Sequence, residues 1–218
     1  MLTKFNNLEI SNNKVKVGAG VPLGLLNKKC LDEGYTNLTF LGMIPGNVGG
    51  SIVGNAGCYN HEIMEYVESV KVLDKEGNVK ELLKKDISFG YRYTTLKDKY
   101  IVVEATLILE KGDLESAKTE MQERNEKRIA TQPLDKKNCG SIFRNPEGYS
   151  SGKLIDDAGL KGYQVGGAKV SEKHANFIVN EGGATFNDVI TLIDTIKEKI
   201  KKENDITLVL EPTIIRWN

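Results

Sequence analysis

Between Gly42 and Gly57 the chain carries six glycines, at positions 42, 46, 49, 50, 54 and 57, interleaved with Ile44, Pro45, Val48, Ile52 and Val53. A flexible linker would be rich in serine and poor in branched apolar residues, so this mixture predicts an ordered, partly buried loop. Glycines beside a rigid proline let backbone N–H groups approach a ligand closely and form a nest for a phosphate or a ring edge. A buried chain crossing with no room for side chains calls for the same residues. On the residues alone the two readings stand even.

Around this segment the periodicity changes repeatedly. Val15 and Val17 alternate with lysines and predict a short strand, followed by a turn over 18–24 and a helix over 25–33 closed by Gly34. Segments 67–73 and 79–83, joined by Glu76-Gly77-Asn78, predict a β-hairpin, and 100–109 a further strand. Residues 114–129 read as a charged helix broken by Gln132-Pro133-Leu134-Asp135, which sets a domain boundary between 1–129 and 130–218. The second part is expected to hold a loop over 138–146, a short helix over 153–158 ended by Gly159 and a strand over 174–179. An amphipathic helix over 187–202 and a last strand over 207–211 complete it. Strands and helices mix without regular βαβ alternation, which gives the α+β class.

Several chemistries are excluded. Lys plus Arg and Asp plus Glu both number 30, for a formal net charge of zero, and no basic stripe marks a nucleic-acid binder. No apolar run is long enough to span a membrane, and the first residues show no signal-peptide core, so a cytoplasmic location is expected. Three cysteines (Cys30, Cys58, Cys139) at no ligand spacing predict neither a disulfide framework nor a zinc site, and each is expected to be a small buried apolar residue. No metal is predicted. Residues 18–24 space their glycines as G-x-G-x-x-x-G, one residue too long for a dinucleotide fingerprint, and no acidic residue closes a second strand downstream. A turn feeding a helix is the preferred reading there.

The order of the segments carries more. Gly42-Met43-Ile44-Pro45-Gly46-Asn47-Val48-Gly49-Gly50 followed by Gly54-Asn55-Ala56-Gly57-Cys58-Tyr59 resembles the flavin-binding motif of the UDP-N-acetylenolpyruvoylglucosamine reductase family. The likeness continues through Phe89-Gly90-Tyr91-Arg92-Tyr93, Cys139-Gly140-Ser141-Ile142-Phe143-Arg144-Asn145-Pro146 and residues 154–162. It ends with Val170-Ser171-Glu172-Lys173-His174-Ala175-Asn176-Phe177 and Leu210-Glu211-Pro212. The Ser-Glu-Lys-His-Ala-Asn-Phe form and the compact spacing are similar to the shorter of the family's two types.

The resemblance implies an FAD-binding domain of the vanillyl-alcohol-oxidase type followed by a smaller α+β substrate-binding domain. It implies a cytoplasmic flavoprotein oxidoreductase of cell-wall synthesis, using FAD and NADPH to reduce UDP-N-acetylglucosamine enolpyruvate to UDP-N-acetylmuramate. In such chemistry the cofactor carries the redox step, while the protein supplies orientation, charge and a proton. Ile44, Pro45, Gly46, Val48, Gly49, Gly50, Asn55, Ala56 and Gly57 match the cofactor-binding positions. Ser141 matches the proton donor, with Gly140 letting its loop bend, although a lone serine in a turn more often caps backbone. Arg92 matches the arginine beside the substrate carboxylate, where a guanidinium stabilises charge as it develops; a surface ion pair is its ordinary alternative. Glu211 either holds Arg92 or hydrogen-bonds the enediolate in protonated form, whereas a glutamate at a strand end is usually just solvated. Tyr91, Asn145 and His174 match positions on the substrate side, though His174 and His61 are equally compatible with structural roles. Lys153 and Lys161 are candidates for a diphosphate, with solvated lysine the commoner case.

The departure from the family lies at the front. Family members carry, ahead of the strand equivalent to 15–17, a region with a Gly-Ser-Asn loop that binds the flavin pyrophosphate, and these 218 residues hold no counterpart. A fragment is the favoured explanation, ahead of a degenerate paralogue or a chain completed by a partner, and an exposed sheet edge is expected where strands would pair. The alternative function is a non-catalytic module that recognises a UDP-sugar through residues 130–218. A different flavoprotein oxidase is disfavoured, because it has no reason to keep Ser141 and Glu211 in these motifs.

Overall fold

Val15 and Val17 are fully buried while Lys14 and Lys16 stay exposed, the two-residue period of a strand with one face on a core. In the computed structural model, which describes residues 4–215, this strand belongs to the first of two compact units, divided between Asn125 and Glu126. The first unit is built on β1 (Leu8–Ser11), β2 (Lys14–Gly18), β3 (Val67–Leu73), β4 (Val79–Leu83) and β5 (Ile101–Ile108). They form one antiparallel sheet in the order β1-β2-β5-β3-β4, so β1 and β4 are its edges.

Strand β1 is absent from the sequence-based expectation. Its signal is the Asn12-Asn13 pair: both residues take left-handed φ, 49° and 58°, as a two-residue hairpin turn of mirror type requires. The remaining strands of this sheet fall within a residue of the expected bounds, while the short pairs Gly57–Cys58 with His61–Glu62 and Phe89–Gly90 with Tyr93–Thr94 were not expected. Helix α1 (Leu23–Asp32) follows Pro22 and ends at Gly34, whose φ is +83°.

The predicted loop over 42–57 is ordered and partly buried, but it also contains a six-residue helix, α2 (Val48–Val53). Glycine is a poor helix former, so Gly49 and Gly50 hid it. Packing overrides propensity here, because a Cβ on Gly49 would lie 2.7 Å from the Ala19 Cβ. Val15, Val17, Leu26, Phe40, Ile52, Met64, Val70, Val72 and Leu107 belong to one buried cluster beneath the sheet. Helix α3 (Leu114–Thr131) spans the residues at which the units divide. Among the described residues no helix is long and apolar enough to cross a membrane.

The second unit holds β6 (Lys137–Ser141), β7 (Gln164–Val165), β8 (Ala168–Val170) and β9 (Phe177–Asn180), antiparallel in the order β6-β9-β8-β7. Helix α4 covers Ser151–Asp157 and α5 covers Phe186–Asn204, the latter opened by a reciprocal Thr185–Asp188 cap. Its core contains Ile142, Phe143, Ile155, Val170, Leu192, Ile196 and Ile200. Three expectations need correction. The loop over 138–146 begins as strand β6. The strand expected from 174 starts only at Phe177, because Phe177 N–H closes a turn onto His174 O. Segment 207–211 makes an isolated bridge, Phe143 with Leu210, in place of a strand.

The cysteines also divide. Cys30 is buried and its thiol is pushed up to about 12 by desolvation, and Cys58 is half-buried with its Sγ donating to Phe40 O at 3.3 Å. Cys139 is exposed, against expectation, at the irregular end of β6.

Candidate active site

In the first unit the glycine-rich segment zips along residues 19–23. Leu23 N–H donates to Gly46 O at 3.0 Å, Val48 N–H to Val21 O at 2.9 Å and Gly49 N–H to Ala19 O at 3.0 Å. This separates the glycines by task. Gly49 and Gly57 are buried, and a Cβ on Gly57 would collide with His61 O. Pro45, Gly46 and Gly50 are exposed, Gly46 has φ +135°, and a Cβ on Gly50 would have nothing within 4 Å. The buried-crossing reading accounts for Gly49 and Gly57, while Gly46 and Gly50 leave exposed backbone without side chains. Ile44 is half-buried and packs against the core, and Val48 is fully buried.

Asn55 anchors the next turn. It is fully buried with φ 44°, and its Oδ1 accepts Met64 N–H at 3.2 Å. Its Nδ2 donates to Glu62 Oε2 at 2.6 Å and to Gly90 O at 2.9 Å. Ala56 N–H donates to Ser51 O at 2.8 Å. Gly90 lies in the short hairpin Phe89–Gly90 with Tyr93–Thr94, whose two-residue turn is Tyr91-Arg92. Arg92 takes φ +56°, a left-handed value that strains a residue with a Cβ. Its Nη2 donates to Gly57 O at 2.9 Å, and its guanidinium sits 5.0 Å from the centroid of the exposed Tyr91 ring. Thr94 Oγ1 closes the contact by donating to Val53 O at 2.7 Å. The structure thus joins the 53–57 and 90–94 segments, and with them Asn55, Gly57, Tyr91 and Arg92.

In the second unit Ser141 ends β6. Gly140, at φ +82°, makes a bulge that shifts the β6–β9 register between Asn138 and Ser141, so that Ser141 pairs with Phe177. Past Ser141 the chain is held from two sides. Ile142 N–H donates to Asn176 O at 2.9 Å, while Ile142 O accepts Glu211 N–H at 2.9 Å. Arg144 N–H donates to Val209 O at 2.9 Å. Ser141 and Glu211, distant in sequence, therefore stand on one frame.

Asn145 is exposed and its Oδ1 accepts Ser151 N–H at 3.0 Å, tying the loop to the start of α4. His174 Nδ1 accepts Asn176 N–H at 3.2 Å, and its ring lies 4.8 Å from that of Phe177. Burial, aided by the Lys161 charge, lowers its pKa against an opposing backbone hydrogen bond, so the ring is neutral at neutral pH. Lys153 and Lys161, the diphosphate candidates, pair with Asp157 at 2.9 Å and Asp156 at 2.6 Å. Asn176, to which the motif attached no role, is a further structural centre of this unit. No periodicity marks it, because its part is played by a side chain bonding to backbone.

Comparison with known proteins adds to this geometry. Residues 132–215 match the family model described as UDP-N-acetylenolpyruvoylglucosamine reductase, C-terminal domain, and residues 1–83 match an FAD binding domain. A UDP-N-acetylenolpyruvoylglucosamine reductase of Caldanaerobacter subterraneus subsp. tengcongensis is 43% identical over 215 residues, covering 98% of this chain and 71% of the relative. That of Pediococcus pentosaceus is 40% identical over 216 residues, covering 99% and 72%. The crystal structure of the reductase from Thermus caldophilus superposes with a TM-score of 0.82 at 35% identity, covering 95% of this chain and 74% of that one. Ordered motifs, α+β architecture and these identities agree, and the chain belongs to the UDP-N-acetylenolpyruvoylglucosamine reductase family.

Proposed function

We propose that this chain is a flavoprotein oxidoreductase that uses NADPH to reduce UDP-N-acetylglucosamine enolpyruvate to UDP-N-acetylmuramate in the cytoplasm, for peptidoglycan precursor synthesis. The observation that carries the reading is the shared frame of Ser141 and Glu211, through the hydrogen bond from Glu211 N–H to Ile142 O. The residues of the first unit fit a flavin: Gly46 and Gly50 leave exposed backbone free of side chains, and Gly50 has open space where a Cβ would sit. Ile44, Pro45, Gly46, Val48, Gly49 and Gly50, with Asn55, Ala56 and Gly57, are the residues that would hold it. When bound, FAD supplies the hydride.

The protein's own part is charge and proton management. Hydride addition to a double bond conjugated with a carboxylate drives negative charge onto the carboxylate oxygens. Arg92 stabilises that charge as it forms, and its bond to Gly57 O fixes the guanidinium against the turn beside it. The Ser141 hydroxyl donates its proton to the adjacent carbon. A serine is a weak acid and serves only a strongly basic centre. Glu211, which shares the frame of Ser141, is assigned to stabilising that step, and Tyr91, Asn145 and His174 are assigned to substrate binding.

The test is a visible absorption spectrum with added FAD, followed by the two half-reactions in the Ser141→Ala chain. A bound flavin band is expected. Flavin reduction by NADPH should be unchanged, while reoxidation by the enolpyruvyl sugar nucleotide should slow on the order of 10²-fold or more. No flavin band, or equal loss of both half-reactions, would overturn the reading.

A further inference from the structure

Ser141 reaches the core through only two residues, Ile142 and Phe143, each 1% exposed. Ordinary ladder pairing stops short of them, since the bulge at Gly140 breaks the β6–β9 register and β9 begins at Phe177. Asn176, just ahead of β9 and 4% exposed, takes over the ladder's work. Its main-chain oxygen accepts Ile142 N–H at 2.9 Å. Its Oδ1 accepts Phe143 N–H at 3.0 Å and its Nδ2 donates to Phe143 O at 2.8 Å. A side-chain amide that accepts from and donates to one residue's backbone copies the pairing of a neighbouring strand residue. Asn176 N–H is itself held by His174 Nδ1 at 3.2 Å.

On the opposite side of the same two residues, Ile142 O accepts Glu211 N–H and Phe143 bridges Leu210. The segment is therefore an isolated bridge held between Asn176 and the 209–211 chain. Every polar backbone group of Phe143 is satisfied by a single amide side chain, and loss of that side chain would leave a buried donor and acceptor unpaired. We infer that Asn176 is the positioning residue for the Ser141 hydroxyl, setting it in register with Glu211. The inference rests on the reading of Ser141 as proton donor, and it assigns Asn176 no contact with substrate.

Asn176→Ala in the full chain tests it. With FAD bound, flavin reduction by NADPH should stay within about twofold, and the dissociation constant of the enolpyruvyl sugar nucleotide within about threefold. Reoxidation at saturating substrate should slow at least tenfold, a split that a merely structural role, acting on the folded fraction, would not produce. Amide hydrogen exchange over 141–144 should speed at least tenfold while α5 keeps its protection. Asn176→Asp, close in volume, keeps the acceptor for Phe143 N–H but sets a carboxylate oxygen in place of the donor to Phe143 O; it gives the same split and serves if the alanine variant does not fold. Unchanged reoxidation, equal loss of both half-reactions or unchanged exchange over 141–144 overturns the inference. Ser141→Ala run alongside separates the two claims. If it leaves reoxidation intact or the chain holds no flavin, the functional reading falls, and the exchange measurement alone then decides whether Asn176 holds the segment.

Discussion

Arg92 holds a left-handed backbone, φ +56°, at a position where glycine would sit without strain. Left-handed conformation in a residue with a Cβ costs on the order of 1 kcal/mol, and such strain tends to gather where a side chain is needed for something other than stability. Two substitutions separate backbone from side chain here. Arg92→Ala and Arg92→Gly both remove the guanidinium and its bond to Gly57 O, but only glycine relieves the strain. Once the greater freedom of glycine in the unfolded chain is subtracted, the glycine variant should be more stable than the alanine variant by roughly half a kcal/mol. Urea titration of the two variants measures this difference directly. A clearly more stable alanine variant would mean that the turn is not strained. If Arg92 acts as proposed, both variants should slow flavin reoxidation alike, since both lack the guanidinium.

At the scale of elements, the β3–β4 hairpin shows how charge fastens a turn. Asp74 accepts N–H groups from Glu76 at 3.1 Å and Asn78 at 2.8 Å, and pairs with Lys80 at 2.7 Å. Lys80 chiefly, with the Asn78 hydrogen bonds, brings its carboxyl down from 3.8 to about 2. A carboxylate with a depressed folded pKa contributes stability that is present above its ordinary pKa and lost as pH falls through the folded value. The stability gap between the native chain and Asp74→Ala should therefore be widest above pH 5 and shrink between about pH 4 and pH 2. Denaturant midpoints across that range test it, and a gap independent of pH would exclude the ion pair as its source. Elements like this hairpin were legible because period-two runs flank an obvious turn. Helix α2 was not, because its two glycines argue against a helix that close packing on Ala19 compels. Strand β6 was hidden by the Gly140 bulge, which breaks alternation at the point where Ser141 must turn. The candidate site residues come from the motifs, yet Asn176 was passed over because side-chain pairing to backbone leaves no period in the sequence.

Across the whole molecule, two hydrophobic clusters share no residue: one lies beneath the five-stranded sheet, and the other joins Ile142 and Phe143 to Leu192, Ile196 and Ile200 of α5. The frame that carries Ser141 and Glu211 is thus the outer layer of the second cluster. Ile196 is 1% exposed at the centre of the buried face of α5. Truncating it to alanine removes three carbons and leaves a cavity, at a cost of about 2–5 kcal/mol. That loss should appear as faster amide exchange in β8, β9, α5 and residues 141–144. Protection in β2, β3 and β5, whose side chains pack in the other cluster, should change little. Peptide-resolved hydrogen exchange on Ile196→Ala distinguishes the outcomes. Loss of protection spread evenly over both sheets would show one cooperative unit, and the frame of Ser141 and Glu211 would then draw its rigidity from the entire chain.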